Sequence, residues 1–187
     1  MSRDDTSLTG DDSVALRDLV NRYAALVDDR DPAGVAALFT DDGVLTTAGP
    51  PQSLEPTHRH RGTEEIRQAL AGLDQLLVTF HAVTGELFDA GPDPDTATGR
   101  VSCLAHHISE RDGALRDVTW AVTYRDSYRR TPSGWRFAER SAWVAFLSTS
   151  PVKLARDTRG DGNTDGSARA AEGTADPAGD TSGRDRR

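Results

Sequence analysis

The chain has 187 residues, with 22 Lys and Arg against 30 Asp and Glu, a formal net charge of -8. That length suits one domain with a sizeable core, and the acidic balance argues against nucleic acid or an anionic membrane as main partner, since both reward basic patches. The lone Cys103 excludes an internal disulfide framework and fits a reducing cytoplasm. Without a basic-then-apolar leader or a run of about 20 apolar residues, neither export nor membrane insertion is expected, and the location expected is cytoplasmic.

Residues 1–12 are polar and acidic, and the composition predicts a disordered N-terminus there. Ser13 is a good N-cap for a helix whose apolar face is Leu16, Leu19, Val20, Tyr23, Ala24 and Val27. Asp28 falls beside that stripe on the helical wheel. Asp31 as N-cap and Pro32 at the first helical position restart the chain as a second helix, with Val35, Leu38 and Phe39 as its apolar edge. Asp41-Asp42-Gly43 reads as a turn, Val44–Thr47 as a first strand, and the proline-rich residues 49–62 as a long loop. Thr63 can cap a third helix lined by Ile66, Ala69, Leu70 and Leu73.

From Leu76 onward the composition turns β-branched and aromatic. Four strands are expected over 76–88, 96–111, 115–130 and 135–147, broken by turns at Asp89–Asp95, Gly113 and Pro132–Gly134. Alternation is clearest in Val101, Cys103, Ala105 and His107, and in Val118, Trp120, Val122 and Tyr124. Helices followed by meandering strands imply an α+β domain over residues 13–150, with helices on one face of an antiparallel sheet. Residues 156–187 are Gly, Asp, Ala, Thr, Ser and Arg without apolar periodicity, so a disordered tail is expected after Pro151.

Four residues stand out chemically. His107 shares its strand face with small or apolar residues, which suits a pocket wall, whereas His106 has the opposite parity. His81 sits in an apolar strand, Asp28 has no local capping role, and Arg140 lies between Ala138 and Ala142 with room beside it. A core histidine or a salt-bridged arginine is the structural alternative in each case. There is no glycine-rich phosphate loop and no Gly-x-Ser-x-Gly elbow. Cys103 has no basic neighbour to activate it. Two histidines and an aspartate could in principle form an iron facial triad, but they come from separate elements without a short ligand motif, so no metal is expected.

Taken together, Tyr23-x4-Asp28-x2-Asp31, Leu38-Phe-Thr-Asp-Asp42, Gly62-x3-Ile66, Phe80-His81, Ala105-His-His107, Tyr124-x-Asp-x-Tyr128 and Gly134-Trp-Arg-Phe-Ala-x-Arg140 resemble the SnoaL-like branch of the nuclear transport factor 2-like superfamily. The resemblance spans about residues 13–150. It implies a cone-shaped α+β barrel, a curved antiparallel sheet wrapped around N-terminal helices and enclosing an apolar pocket. Scytalone dehydratases in this neighbourhood carry a catalytic aspartate and two histidines at the positions of Asp28, His81 and His107. Hexachlorocyclohexane dehydrochlorinases match Asp28, His81 and Arg140.

The resemblance therefore implies a cofactor-free lyase or isomerase, dehydratase-like, with Asp28, His81, His107 and Arg140 as the catalytic set. Tyr23, Val27, Phe39, Thr47, Cys103, Trp120 and Tyr124 are expected around the pocket, with Val27 and Thr47 standing where scytalone dehydratases place water-orienting tyrosines. A small hydrophobic or polyketide-like substrate and a homo-oligomer, dimer or trimer, are implied as partners. A polyketide-type cyclase and a non-catalytic binding or structural module remain open on the sequence, because one fold hosts many functions.

Overall fold

Thr9 and Asp12 fix the start of α1 (Gly10–Asp28) in the computed structural model, which describes residues 7–154. The Thr9 hydroxyl accepts from the Asp12 backbone N–H, and the Asp12 carboxylate accepts from the Thr9 N–H, both at 3.1 Å. This is a capping box with aspartate in the usual Glu/Gln position. The helix thus begins four residues earlier than expected, because Thr9-x-x-Asp12 outcompetes Ser13 as a cap. Its buried stripe is the expected one, Leu16, Leu19, Val20, Tyr23, Ala24 and Val27.

At the other end Arg30 takes a left-handed conformation, φ 55°, and Asp31 caps α2 (Pro32–Ala37) by accepting from the Gly34 N–H at 2.8 Å. Gly34 is required by this close approach, since a Cβ there would lie 2.4 Å from Asp31 Oδ2. The corner therefore forms as the sequence implies, and it leaves Asp28 at the last turn of α1, pointing toward the sheet.

The chain continues as β1 (Phe39–Gly49), β2 (Ser53–Arg61), α3 (Gly62–Leu70), a single 3-10 turn (Ala71–Gln75), β3 (Val78–Ala90), β4 (Thr96–Arg111), β5 (Ala114–Thr131) and β6 (Gly134–Pro151). These strands form one six-stranded sheet in the order β2-β1-β6-β5-β4-β3. Neighbours are antiparallel except β1 and β6, which run parallel. The sheet is open, with β2 and β3 at its edges, and apart from the parallel β1–β6 pair it is antiparallel, so the fold is the expected α+β cone of a curved sheet over N-terminal helices.

Three local expectations are corrected. Residues 53–61 form edge strand β2, paired with β1 from Val44↔Arg61 to Gly49↔Ser53, instead of part of a loop. An edge strand bordered by water needs no apolar face, so the polar run Thr57-His-Arg-His-Arg61 gave no strand pattern. Asp41-Asp42-Gly43 lies inside β1, where the register against β6 jumps between Phe39 and Val44. This is an irregular pairing rather than a chain reversal. Finally, Thr63 makes no capping bond. α3 starts at Gly62, φ 76°, and Glu65 accepts from the Arg61 N–H at 2.7 Å.

Candidate functional site

Asp28 and His81 come together from the end of α1 and the edge strand β3. The carboxylate accepts two bonds: its Oδ1 lies 2.6 Å from His81 Nδ1 and its Oδ2 2.8 Å from the His81 backbone N–H. The side chain of His81 is 8% exposed and that of Asp28 22%. Partial burial pushes the Asp28 pKa up, but the side-chain and backbone bonds from His81 outweigh it and hold the carboxyl below its ordinary value. An ionised carboxylate only accepts, so His81 donates through Nδ1–H, which leaves Nε2 as the ring nitrogen that Asp28 does not engage. The two-point grip fixes both backbone and ring, and the edge strand cannot slide without breaking it.

His107 stands next to this pair, with ring centroids 6.0 Å apart and an edge-on geometry. Its Nδ1–H donates to the Val118 carbonyl at 3.1 Å, and its ring lies 4.6 Å from that of Trp120. Only 9% of the residue is exposed. Burial drives its pKa down to about 4, so the ring is neutral at pH 7 and Nε2 is an acceptor. With Nδ1–H engaged by the Val118 carbonyl, the neutral ring offers Nε2 to a ligand as an acceptor.

His107 and Trp120 line a cavity of about 740 Å³, within the size range of small-molecule sites. Pro50 and Pro51 at the β1–β2 turn, Leu73 and Leu76 before β3, and Leu147 on β6 complete its apolar part. Register puts Thr79 opposite His107 and His81 opposite Ala105, one inward-facing step further into the sheet. The dyad therefore adjoins the inner end of the cavity, beside His107. Arg30 donates to the Leu76 carbonyl, tying the helical corner to this wall.

Arg140 is placed differently from expectation. It is 1% exposed and paired with Asp126 through two bonds, Nε–Oδ1 at 3.0 Å and Nη2–Oδ2 at 2.8 Å. Its guanidinium lies 4.2–4.3 Å from the ring centres of Phe137, Tyr23 and Tyr124, and the Tyr128 hydroxyl donates to Asp126 at 2.7 Å. Burial alone would lower the Arg140 pKa, but the Asp126 charge more than offsets it. With Nε and Nη2 taken up by Asp126 and three aromatic rings around the guanidinium, Arg140 is a core cation and does not line the cavity.

The same packing relocates most of the expected pocket. Tyr23, Phe39 and Tyr124 are buried core aromatics in edge-to-face contact, and burial pushes the Tyr23 hydroxyl up to about 12. Val27 and Cys103 are each 3% exposed, with the thiol raised to about 12 mainly by burial, so Cys103 is no nucleophile at neutral pH. Thr47 is half-buried opposite His58 on β2. Of the residues expected around the pocket, Trp120 is the one on the wall of this cavity.

Two partners escaped the sequence reading. Asp126 was visible inside Tyr124-x-Asp-x-Tyr128, where its inward parity between two aromatics marked a buried carboxylate in need of a cation. Asp117 holds His106 Nδ1 at 2.6 Å, and Thr119 donates to the same carboxylate at 3.0 Å. That second His-Asp pair lies on the opposite sheet face, as the parity of His106 requires. Among the described residues, no group of three His, Cys, Asp or Glu side chains is placed to hold a metal ion, and no helix is long and apolar enough to cross a membrane.

Several solved structures are similar. A protein from Novosphingobium aromaticivorans, provisionally named an aromatic ring hydroxylase, is 26% identical with a TM-score of 0.65, covering 76% of this chain and 96% of its own. A second from the same organism, provisionally named a scytalone dehydratase, is 20% identical with a TM-score of 0.62 over 82% and 95% of the two chains. A type 2 hexachlorocyclohexane dehydrochlorinase is 18% identical with a TM-score of 0.60 over 80% and 94%. At the latter two identities the likeness shows the fold alone. No curated protein matches the chain. The SnoaL-like domain model matches residues 9–141, and on that match, with the open curved sheet and N-terminal helices already described, the chain belongs to the SnoaL-like family of the nuclear transport factor 2-like fold.

Proposed function

We propose that the protein is a cofactor-free lyase or isomerase of the dehydratase type, in which His81 removes a carbon-bound proton under the control of Asp28. The 2.6 Å Asp28–His81 bond is the observation that supports this most. It fixes the tautomer in which Nε2 is the base, and it stabilises the imidazolium once the proton has arrived. A positioned imidazole base contributes roughly 10²–10⁴ in rate.

The step balances without another reactant. Nε2 takes the proton, and the C–H electron pair becomes the new double bond. The protonated ring then returns its proton to a departing hydroxyl, releasing water, or to a different carbon, giving isomerisation. His107, neutral and acceptor-only at Nε2, serves as a hydrogen-bond acceptor for a substrate hydroxyl and orients it. Arg140 acts by holding Tyr23, Tyr124 and Phe137 behind the site rather than by touching the substrate. The names of the dehydratase and dehydrochlorinase relatives agree with elimination chemistry.

The test uses 5-nitrobenzisoxazole, a small aromatic whose ring opens when a base removes its carbon-bound proton and the N–O bond breaks, giving a coloured phenolate. The wild-type protein should accelerate this opening, and His81→Ala and Asp28→Asn should each lower the rate about 10²-fold with folding intact. Equal rates in all three proteins would remove the dyad from the chemistry.

A further inference from the structure

The cavity wall changes character along its length. On β4 the inward-facing series runs His107, Ser109, Arg111, and on β5 it runs Trp120, Val118, Arg116. Ser109 and Arg116 are cross-strand partners, so both strands turn polar at the same level. Both arginines are exposed at the rim, at the hairpin end of β4 and β5. Four residues of strand, roughly 13 Å, separate Arg116 from Trp120 and Arg111 from His107.

These two cations differ from most of the arginines among the described residues. Arg17, Arg67 and Arg129 are taken up by Glu86, Glu64 and Asp42. The side chains of Arg111 and Arg116 have no hydrogen bond or ion pair among the described residues. Asp112, at the hairpin turn with φ 52°, is the carboxylate on the same rim, so one positive charge is left in excess. A protein of net charge -8 repels anions in general. Unpaired arginines at the mouth of its cavity are what would locally reverse that.

We propose that this cavity takes an elongated aromatic or polycyclic carboxylic acid, with its flat apolar body against Trp120 and Leu147 and its carboxylate at Arg111 and Arg116. This rests on the cavity being the substrate site of the reaction above, and it narrows the substrate class to amphiphilic acids. Guanidinium groups match carboxylates in shape as well as charge. Anchoring the acid at the rim points the far end of the ring system toward His107 and the dyad beside it, which fixes which carbon is presented.

Binding tests this independently of turnover. Titration with biphenyl-4-carboxylate, followed by Trp fluorescence and calorimetry, is compared with its neutral isostere biphenyl-4-carboxamide. The acid should bind the wild type about tenfold more tightly, and Arg111→Gln together with Arg116→Gln should abolish that preference while leaving the amide's affinity unchanged. Arg100→Gln, on the outer sheet face, should preserve the preference, and so should His81→Ala. Equal affinity for acid and amide in the wild type, no binding of either, or an undiminished preference in the double arginine variant would overturn the proposal. Acid preference with no catalysis of ring opening would leave it standing and count against the dyad alone.

Discussion

Acidification singles out His107. In the unfolded chain its ring titrates at the ordinary value of 6.5, whereas burial lowers it to about 4 in the folded protein. Between those values the unfolded state binds the extra proton, so stability rises with pH in this window and is lost as the pH falls. The full difference, at about 1.4 kcal/mol for each pH unit between the two values, is about 3–4 kcal/mol. About 2 kcal/mol of it is lost by pH 5, and almost none above pH 7. His107→Gln can keep the bond to the Val118 carbonyl but has no titrating ring. Urea unfolding of both proteins from pH 7.5 to pH 5 measures the effect, and the carboxylates common to both cancel in the comparison. The wild type should lose about 2 kcal/mol more than the variant. Parallel stability curves would refute a buried, neutral His107 and the acceptor role built on it.

Other outcomes follow from the packing. Asp126→Ala leaves the buried Arg140 guanidinium unpaired and should cost about 3–5 kcal/mol in chemical denaturation. Replacing both residues, as Arg140→Met with Asp126→Leu, should cost clearly less than the single change, and an equal or larger loss would contradict the closed ion pair. Thr9→Ala removes one side of the capping box at α1 and should cost about 1 kcal/mol, a drop in Tm of about 2–4 °C. Asp12→Ala should cost more, because that carboxylate also accepts from Arg130 at 2.8 Å and Trp135 Nε1 at 3.0 Å, pinning α1 to β5 and β6. Calorimetry on the two variants separates these cases.

How much of this was legible in the sequence depended on where each signal came from. The α1 stripe, the Asp31-Pro32 restart and the long strands β4, β5 and β6 announce themselves through periodicity and turn residues, because burial imposes those patterns locally. β2 did not, since an edge strand bordered by water carries no apolar alternation. The Asp28–His81 pair was reached through the resemblance, as nothing local links residues 53 positions apart. Arg140 shows the limit most clearly. Its small neighbours were read as space for a ligand, yet side chains distant in sequence, Tyr23 and Asp126, fill that space. Disorder was expected over residues 1–12 and after Pro151; residues 10–12 instead form the first turn of α1, with Asp12 buried, and residues 1–6 and 155–187 lie outside the described residues.

The tautomer of His81 tests the central claim most directly, because a base at Nε2 requires the proton on Nδ1. Long-range proton–nitrogen correlation NMR on ¹⁵N-histidine-labelled protein near pH 7.5 reads it without any substrate. The expected spectrum shows His81 protonated at Nδ1, with a strongly downfield proton that disappears in Asp28→Asn. A His81 ring protonated at Nε2, or one whose signals ignore the loss of the Asp28 charge, would contradict the proposed base.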